Sequence, residues 1–202
     1  MTDAGEMWDR RFSEHPWPSE PDPFLVEFAS ALPAGRGLDL GSGPGRNSLW
    51  LAVRGWGFTL VDTSRVALTQ AEERAEKAGV RVEVVLDDVL GWRSSEPSYD
   101  LVIVANLHPK PESLAQVLAS AADALHAGGH LFVVGHDLAN LGHHGPPDPE
   151  RLFTIEGLAT ALPPTVFVEV LERRTRQPDH TAGPDADVLD VAVLAWATKR
   201  VP

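Results

Sequence analysis

Apolar residues follow two periods along this chain, one typical of buried strands and one typical of amphipathic helices. Short apolar runs lie at 38–40, 58–62, 81–88, 99–105, 130–135, 165–171 and 188–196. Helical spacing occurs at 24–32, 46–54, 66–78, 112–126 and 152–162. Strands that alternate with helices predict parallel βαβ units, whereas the last two runs have no helix between them and predict an antiparallel hairpin. The pattern therefore predicts an α/β fold.

The stretch from Gly37 to Asn47 joins the first strand to a helix through glycines at three alternate positions, Gly41, Gly43 and Gly45. This layout lets main-chain N–H groups approach a ligand and directs a helix N-terminus at it. A dinucleotide fingerprint, G-x-G-x-x-G, would need glycine where this chain has Arg46. A turn that merely needs glycines is the alternative interpretation.

An acidic residue, Asp62, ends the second strand. In open α/β folds a carboxylate at this place accepts hydrogen bonds from ribose hydroxyls, both in methyltransferases and in nicotinamide-dependent enzymes. Asp62 therefore indicates an adenosine ligand without choosing between the two classes. Its alternative role, capping the next helix, is less favoured because Thr63 or Ser64 is already placed to do so.

The run from Leu38 to Gly45 resembles motif I of the class I S-adenosylmethionine-dependent methyltransferases. With Met7–Phe12 ahead of it, the chain looks most like the small tellurite-resistance and thiopurine-methyltransferase-like group. The resemblance covers nearly the whole chain. It implies a Rossmann-like, doubly wound seven-stranded sheet in the order 3-2-1-4-5-7-6, with the last strand antiparallel, and S-adenosyl-L-methionine as the cofactor.

The same resemblance implies one methyltransferase domain over residues 1–202. In this domain the N-terminal segment, 1–23, either forms a lid over the site or packs against the domain edge. The segment contains two tryptophans, which would be exposed to water in a free tail. We therefore expect the segment to pack against the rest of the protein.

Cofactor contacts are implied by the resemblance at defined positions of this sequence. The glycines surround the methionyl end of the cofactor, and Asp88 binds the adenine amino group, with Asp87 as its neighbouring alternative. The expected cofactor-binding residues are Trp8, Arg11, Asp39, Gly41, Gly43, Gly45, Asn47, Asp62, Thr63, Asp88, Val89 and Asn106.

Methyl transfer from a sulfonium is an in-line displacement, for which a protein supplies alignment and exclusion of water. A general base is needed only where the acceptor must lose a proton, and the chain has no cysteine. The candidates are His108, His136 and Asp137, which follow the fourth and fifth strands.

The loop at 136–148 contains three histidines and two aspartates. Such density suggests a metal site, but a loop rich in glycine and proline provides no regular spacing to bring ligands together. We therefore expect a substrate-side loop and no metal.

A formal net charge of −12 disfavours nucleic acid as a partner. The polar N-terminus does not resemble a signal peptide, and no apolar run reaches the length of a membrane span, so we expect a cytoplasmic monomer or homodimer. No substrate domain is inserted, which favours a small-molecule methyl acceptor. Two alternatives remain: a nicotinamide-dependent oxidoreductase, and a non-catalytic adenosylmethionine-binding protein.

Overall fold

A seven-stranded sheet lies at the centre of the computed structural model, which describes residues 3–15, 17–178 and 188–201. Its strands are β1 Arg36–Leu40, β2 Gly57–Asp62, β3 Val82–Leu86, β4 Tyr99–Ala105, β5 Leu125–His136, β6 Val166–Arg176 and β7 Asp190–Lys199. The helices are α1 Asp3–Glu14, α2 Pro23–Ala29, α3 Arg46–Ala52, α4 Arg65–Ala78, α5 Pro111–Ala124 and α6 Ile155–Ala161. Two short 3₁₀ helices, Leu138–Asn140 and Pro149–Arg151, lie between β5 and α6.

The strand order is β3-β2-β1-β4-β5-β7-β6. The five strands from β3 to β5 are parallel, and β7 is inserted antiparallel between β5 and β6. The predicted fold class, strand order and reversed last strand are thus confirmed. Because β7 is antiparallel, its first residues lie at the same edge of the sheet as the last residues of β4 and β5.

Apolar side chains cover both faces of the sheet. Strand β4 shows how: Val102 and Val104 belong to the cluster that also contains residues of α5 and α6, whereas Leu101 and Ile103 pack with residues of α2, α3 and α4. A strand buried on both faces requires a nearly continuous apolar run, which the sequence of β4 provides.

Several predicted boundaries differ from the structure by a few residues, and the strand pairing explains two of these differences. Helix α5 ends at Ala124 rather than at His126, because Leu125 is already extended and pairs with Tyr99 ahead of a register shift in β4 and β5. Strand β6 continues beyond Leu171 to Arg176, since its pairing with β7 extends to Asp190. Arg173 and Arg174 therefore lie in a strand, not in the predicted hairpin tip, of which residues 179–187 lie outside the described part of the chain.

A comparison of Gly45 with Gly79 distinguishes two ways in which an added Cβ can destabilise the protein, through backbone strain and through overpacking. Both have left-handed backbones, with φ of 79° and 70°, but a Cβ on Gly45 would lie 2.9 Å from Leu60 Cδ2, whereas one on Gly79 would have no heavy atom within 4 Å. We expect Gly79→Ala to lower the free energy of unfolding by about 1 kcal/mol. Gly45→Ala should lower it by roughly 2–4 kcal/mol, because overpacking adds to the same backbone strain. Urea unfolding measures both, and equal losses would contradict the close packing of the loop.

Candidate active site

The loop after β1 has a backbone that favours glycine at all three alternate positions. Gly41, Gly43 and Gly45 have φ values of 74°, 52° and 79°. Space is also limited, since a Cβ on Gly41 would lie 3.0 Å from Leu107 Cδ1 and one on Gly43 would lie 3.2 Å from Phe12 Cζ. The loop is thereby held between the end of β4 and helix α1, with main-chain N–H groups at the carboxyl edge of the sheet.

Asp62 connects this loop to the start of α4. Its Oδ2 accepts a hydrogen bond from Gly43 N at 2.8 Å, and its Oδ1 accepts one from Ser64 N at 2.8 Å. Burial raises the pKa of Asp62, and these main-chain donors oppose the rise. Ser64, not Asp62, caps α4, because Ser64 Oγ accepts from Ala67 N; Thr63 lies half-buried between them. Each Asp62 oxygen retains acceptor capacity for a ribose hydroxyl.

Asp39 lies buried in β1, beneath the glycine loop. Ser48, from the first turns of α3, donates its hydroxyl to Asp39 Oδ2. Burial raises the pKa of Asp39 to about 7, despite the Ser48 hydrogen bond; the nearby Asp62 charge raises it further and Arg46 lowers it. Asp39 therefore connects strand β1 to helix α3, and the pKa of its carboxyl lies near neutral pH.

The turn after β3 lies beside Asp62, since Asp87 N donates to Asp62 O at 3.1 Å. Asp88 is half-buried and accepts from Leu90 N at 3.0 Å, and Val89 is buried behind it. Asp87 is exposed. This turn is thus where the expected adenine contacts of Asp88 and Val89 lie, next to the carboxylate expected to hold the ribose.

Helix α1 packs on this region through a polar bridge and an aromatic cluster. Asp9 Oδ1 accepts from Ser64 Oγ at 2.6 Å and from Val66 N at 3.0 Å. The Phe12 ring, which lies against Gly43, is 5.7 Å from the Trp8 ring and 4.7 Å from the Trp17 ring. The Arg11 guanidinium stacks on Trp8 at 5.0 Å.

Asn47 was expected near the cofactor, and the structure gives it an anchoring contact. Its side chain is buried, and its Oδ1 accepts from Asp22 N at 2.9 Å. It thereby ties α3 to the segment that leads into α2. Asp22 also binds Arg176 at the end of β6, so this contact connects Asn47 to the antiparallel edge of the sheet.

Asn106 at the end of β4 has a φ of 54°, which makes it the non-glycine residue with a left-handed backbone in the described chain. Such strain is found where the surroundings fix the conformation, commonly at functional sites. The Asn106 Oδ1 accepts from Arg176 Nη2 at 2.9 Å. Arg176 comes from the end of β6, so this contact joins the centre of the sheet to its antiparallel edge.

His108 uses both of its ring nitrogens within the protein. Nδ1 lies 2.8 Å from Arg151 O, and Nε2 accepts from His136 N at 3.2 Å. Because Nε2 is an acceptor, Nδ1 carries the proton. Burial and the neighbouring His136 lower the pKa of His108 to about 3. The structure therefore places His108 as a neutral support, stacked on His136 with the rings 5.3 Å apart.

His136 is bound differently. Its Nδ1 lies 2.9 Å from Asp190 Oδ1, in β7. Burial alone would raise the pKa of Asp190, but the His136 hydrogen bond and the Arg176 charge outweigh it and lower the pKa to about 2. Asp190 is thus ionised and can only accept, so His136 Nδ1 donates. Among the described residues the structure gives His136 Nε2 no hydrogen-bond partner.

Asp137, the third expected acid–base residue, has both oxygens engaged. Oδ1 accepts from Ala139 N at 2.8 Å, and Oδ2 accepts from Arg173 Nε at 2.8 Å. The side chain is buried. Asp137 therefore holds the first 3₁₀ helix against β6, and its geometry is that of an anchor.

Three residues of this site were missed from the sequence: Asp22, Arg176 and Asp190. Arg176 is 5 % exposed, and it donates to Asp22 Oδ2 and, at 2.6 Å, to Asp190 Oδ2. A signal for Asp190 existed, since the first residue of an antiparallel strand beside β5 must lie near the end of β5. Asp22 gave no such signal, because its proline-rich surroundings have no period.

The histidines of the 136–148 loop do not converge. His144 Nε2 contacts Val188 O at 2.8 Å, whereas His136 contacts Asp190. In the described parts of the chain, no group of three or more His, Asp or Glu side chains has the arrangement to hold a metal ion.

Comparison with known proteins agrees with this geometry. A family model described as a methyltransferase domain matches residues 38–129, which include the glycine loop, Asp62 and the Asp88 turn. This segment is similar to the class I S-adenosylmethionine-dependent methyltransferases, and the strand order of the sheet agrees with that family. The expected family is thus confirmed, and with it the expected cofactor, S-adenosyl-L-methionine.

Individual relatives of this chain are distant. It is 27% identical to a protein-L-isoaspartate O-methyltransferase of Pelodictyon phaeoclathratiforme, over 56% of this chain and 57% of the relative. It is 26% identical to the probable S-adenosyl-L-methionine-dependent methyltransferase TehB of Haemophilus influenzae, over 54% of this chain and 39% of the relative. The matches thus span about half the length of these curated relatives.

The solved structure of the N-methyltransferase NodS from Bradyrhizobium japonicum, in complex with S-adenosyl-L-homocysteine, shares the fold. The TM-score is 0.71 at 19% identity, over 98% of this chain and 99% of NodS.

In the described residues, no helix has both the length and the apolar character needed to cross a membrane.

The raised pKa of Asp39 predicts how stability depends on pH. A carboxyl whose pKa is about 7 when folded and 3.8 as its ordinary value binds its proton more tightly in the folded state. Its contribution is therefore most favourable below about pH 4 and is lost as the pH rises toward 7, by a few kcal/mol at most. We expect Asp39→Asn to remove this loss. The free energy of unfolding of the variant should therefore rise relative to that of the wild type between about pH 5 and pH 8.

Urea unfolding of the ligand-free proteins at both pH values measures the effect. The difference between variant and wild type isolates Asp39, because the other titrating groups are common to both. An unchanged difference between the two pH values would show that Asp39 is ionised throughout.

Proposed function

We propose that this protein transfers the methyl group of S-adenosylmethionine to a small-molecule acceptor. The observation that carries the proposal is the pairing of two groups at one edge of the sheet. The glycine loop follows β1 and binds the carboxylate of Asp62, which ends β2. His136, with one ring nitrogen unused, ends β5. Ligands of open α/β folds bind at this carboxyl edge.

The residues present fit the cofactor. Three left-handed glycines keep Cβ atoms away from the loop, which favours close approach of the methionyl end. In the proposed complex Asp62, followed by Thr63, holds the ribose hydroxyls, and Asp88 with the Val89 N–H holds the adenine. Trp8 and Arg11 of α1 cover the methionyl side, as a lid, and Asn106 borders it from β4. When bound, the cofactor supplies an electrophilic methyl group on a sulfonium.

His136 is the proposed acid–base residue. His108 and Asp137 share the same edge, but their polar atoms are already hydrogen-bonded within the protein. The ring of His136 is only half-buried, and its Nε2 remains for an acceptor proton. In the proposed complex the 136–151 loop and the start of β7 border the acceptor, an arrangement that suits a small molecule.

A titration followed by an acceptor panel tests this function. We expect S-adenosylmethionine and S-adenosylhomocysteine to bind in a calorimeter and NAD not to bind, since Arg46 replaces the glycine of a dinucleotide loop. Formation of S-adenosylhomocysteine with phenols, thiols or amines would then support catalysis. NAD binding alone would favour an oxidoreductase, and cofactor binding without turnover on any acceptor would favour a binding protein.

Neighbouring aspartates after β3 provide a matched pair for the adenine contact. We expect Asp88→Ala to weaken S-adenosylhomocysteine binding about tenfold, the effect of one lost hydrogen bond of roughly 1.4 kcal/mol. Asp87→Ala should weaken it less than about twofold, because Asp87 is exposed. Melting temperatures without ligand control for damage to the turn. A larger effect at Asp87 would move the adenine contact by one residue.

A further inference from the structure

The structure determines which partner donates in the hydrogen bond between His136 and Asp190. Asp190 is 1 % exposed, and its Oδ1 accepts from His136 Nδ1 at 2.9 Å and from Asn140 Nδ2 at 2.7 Å. Its Oδ2 accepts from Arg176 Nε at 2.6 Å. With three donors around one carboxylate, His136 must keep its proton on Nδ1, which leaves the lone pair of the neutral ring on Nε2.

The orientation of the His136 ring is fixed from several sides. The His108 ring stacks on it at 5.3 Å, and Gly145 lies so close that a Cβ there would be 2.9 Å from the His136 Cβ, Cγ and Cδ2 atoms. His108 Nε2 also accepts from the His136 main-chain N–H. A ring with a fixed tautomer and a fixed plane is what proton abstraction from a positioned acceptor requires.

The charged groups around His136 determine how well its ring can hold a proton taken from an acceptor. Asp190 is the carboxylate that faces it, from β7. Arg176 lies behind Asp190 and is shared with Asp22, while His108 is neutral and Asp137 is paired with Arg173. The Asp190 carboxylate stabilises the imidazolium that forms when Nε2 takes a proton.

We infer that Asp190 is the positioning residue of a His136 base, and that the methyl acceptors are phenols or other weakly acidic hydroxyl compounds. The inference rests on the proposed function. The acceptor O–H bond breaks as Nε2 takes the proton, and the oxygen lone pair forms the new bond to the methyl carbon. The carbon–sulfur bond breaks with its electrons on sulfur, and His136 later releases the proton to water.

Apolar side chains on the flanking segments support an acceptor with an apolar body. Leu138 and Leu141 follow His136, and Leu189 precedes Asp190; their side chains are 41 %, 46 % and 48 % exposed. Exposed leucines on both segments that carry the pair suit a phenolic ring better than a small oxyanion.

An experiment without turnover tests the tautomer. Long-range proton–nitrogen NMR spectra of the ligand-free protein should show His136 protonated at Nδ1 and not at Nε2, and Asp190→Asn should redistribute the proton. A wild-type His136 protonated at Nε2 would overturn the inference, whatever the enzyme methylates.

Kinetics with phenol and 4-nitrophenol test the base. At about pH 8 phenol still holds its proton, since phenolic hydroxyls ionise near pH 10, whereas 4-nitrophenol is largely ionised. We expect His136→Gln to lower kcat for phenol roughly 100-fold and Asp190→Asn roughly 10- to 100-fold, with KM changed less than about threefold. Both variants should lose much less activity with 4-nitrophenol.

The acid limb of the pH–rate profile for phenol should also move to lower pH in Asp190→Asn, because the imidazolium loses its carboxylate partner. Asp190→Glu, which keeps the carboxylate, should recover part of kcat if the buried Asn variant is poorly folded. Equal losses with both phenols would indicate a structural role and overturn the inference.

A second histidine–carboxylate pair is the matched control. His126 Nε2 lies 2.6 Å from Asp100 Oδ1 at the opposite edge of the sheet. His126→Gln should leave kcat for phenol unchanged. Methyl transfer to amines or thiols alone, or to none of the panel despite cofactor binding, would overturn the hydroxyl specificity, whereas loss of cofactor binding itself would contradict the proposed function.

Discussion

Burial of the Arg176 guanidinium is the constraint on which the antiparallel half of the sheet edge depends. A charge taken out of water costs several kcal/mol unless it is paired and hydrogen-bonded. Arg176 meets this requirement with Asp22, Asp190 and Asn106, which come from three distant parts of the chain. The pairing therefore fixes the entry to α2, the start of β7 and the strained end of β4 relative to one another.

The same constraint separates the roles of two stacked histidines. His136 borders the ionised Asp190, so its imidazolium has a partner. Burial and the neighbouring His136 strongly disfavour protonation of His108, although the Arg151 carbonyl opposes this effect. One residue type at two adjacent strand ends thus has two different sets of partners. Nothing in the sequence of either histidine alone distinguishes them.

What was predictable followed from periodicity and backbone demands. Alternating strands and helices were enough to predict an α/β fold with an antiparallel hairpin at its end. The strand order and the family came from the resemblance of the glycine loop and its flanking segments to known methyltransferases. Side-chain partners were not predictable, because they depend on which residues of distant segments meet. The hydrogen bond from Asp22 N to the Asn47 side chain is an example. Asp190 lay within reach of sequence reasoning, since an antiparallel β7 returns its first residue to the end of β5, but that step requires the register as well as the topology.

The division of the sheet edge follows from the order of its strands. Loops after β1, β2 and β3 carry the glycines, Asp62 and Asp88, while the ends of β4 and β5 and the start of β7 carry Asn106, His136 and Asp190. In-line transfer requires donor and acceptor to approach from opposite sides of one carbon. Under the proposed function, the cofactor lies on one half of the edge and the base on the other, so the order of the strands lets the two reactants approach each other along the edge.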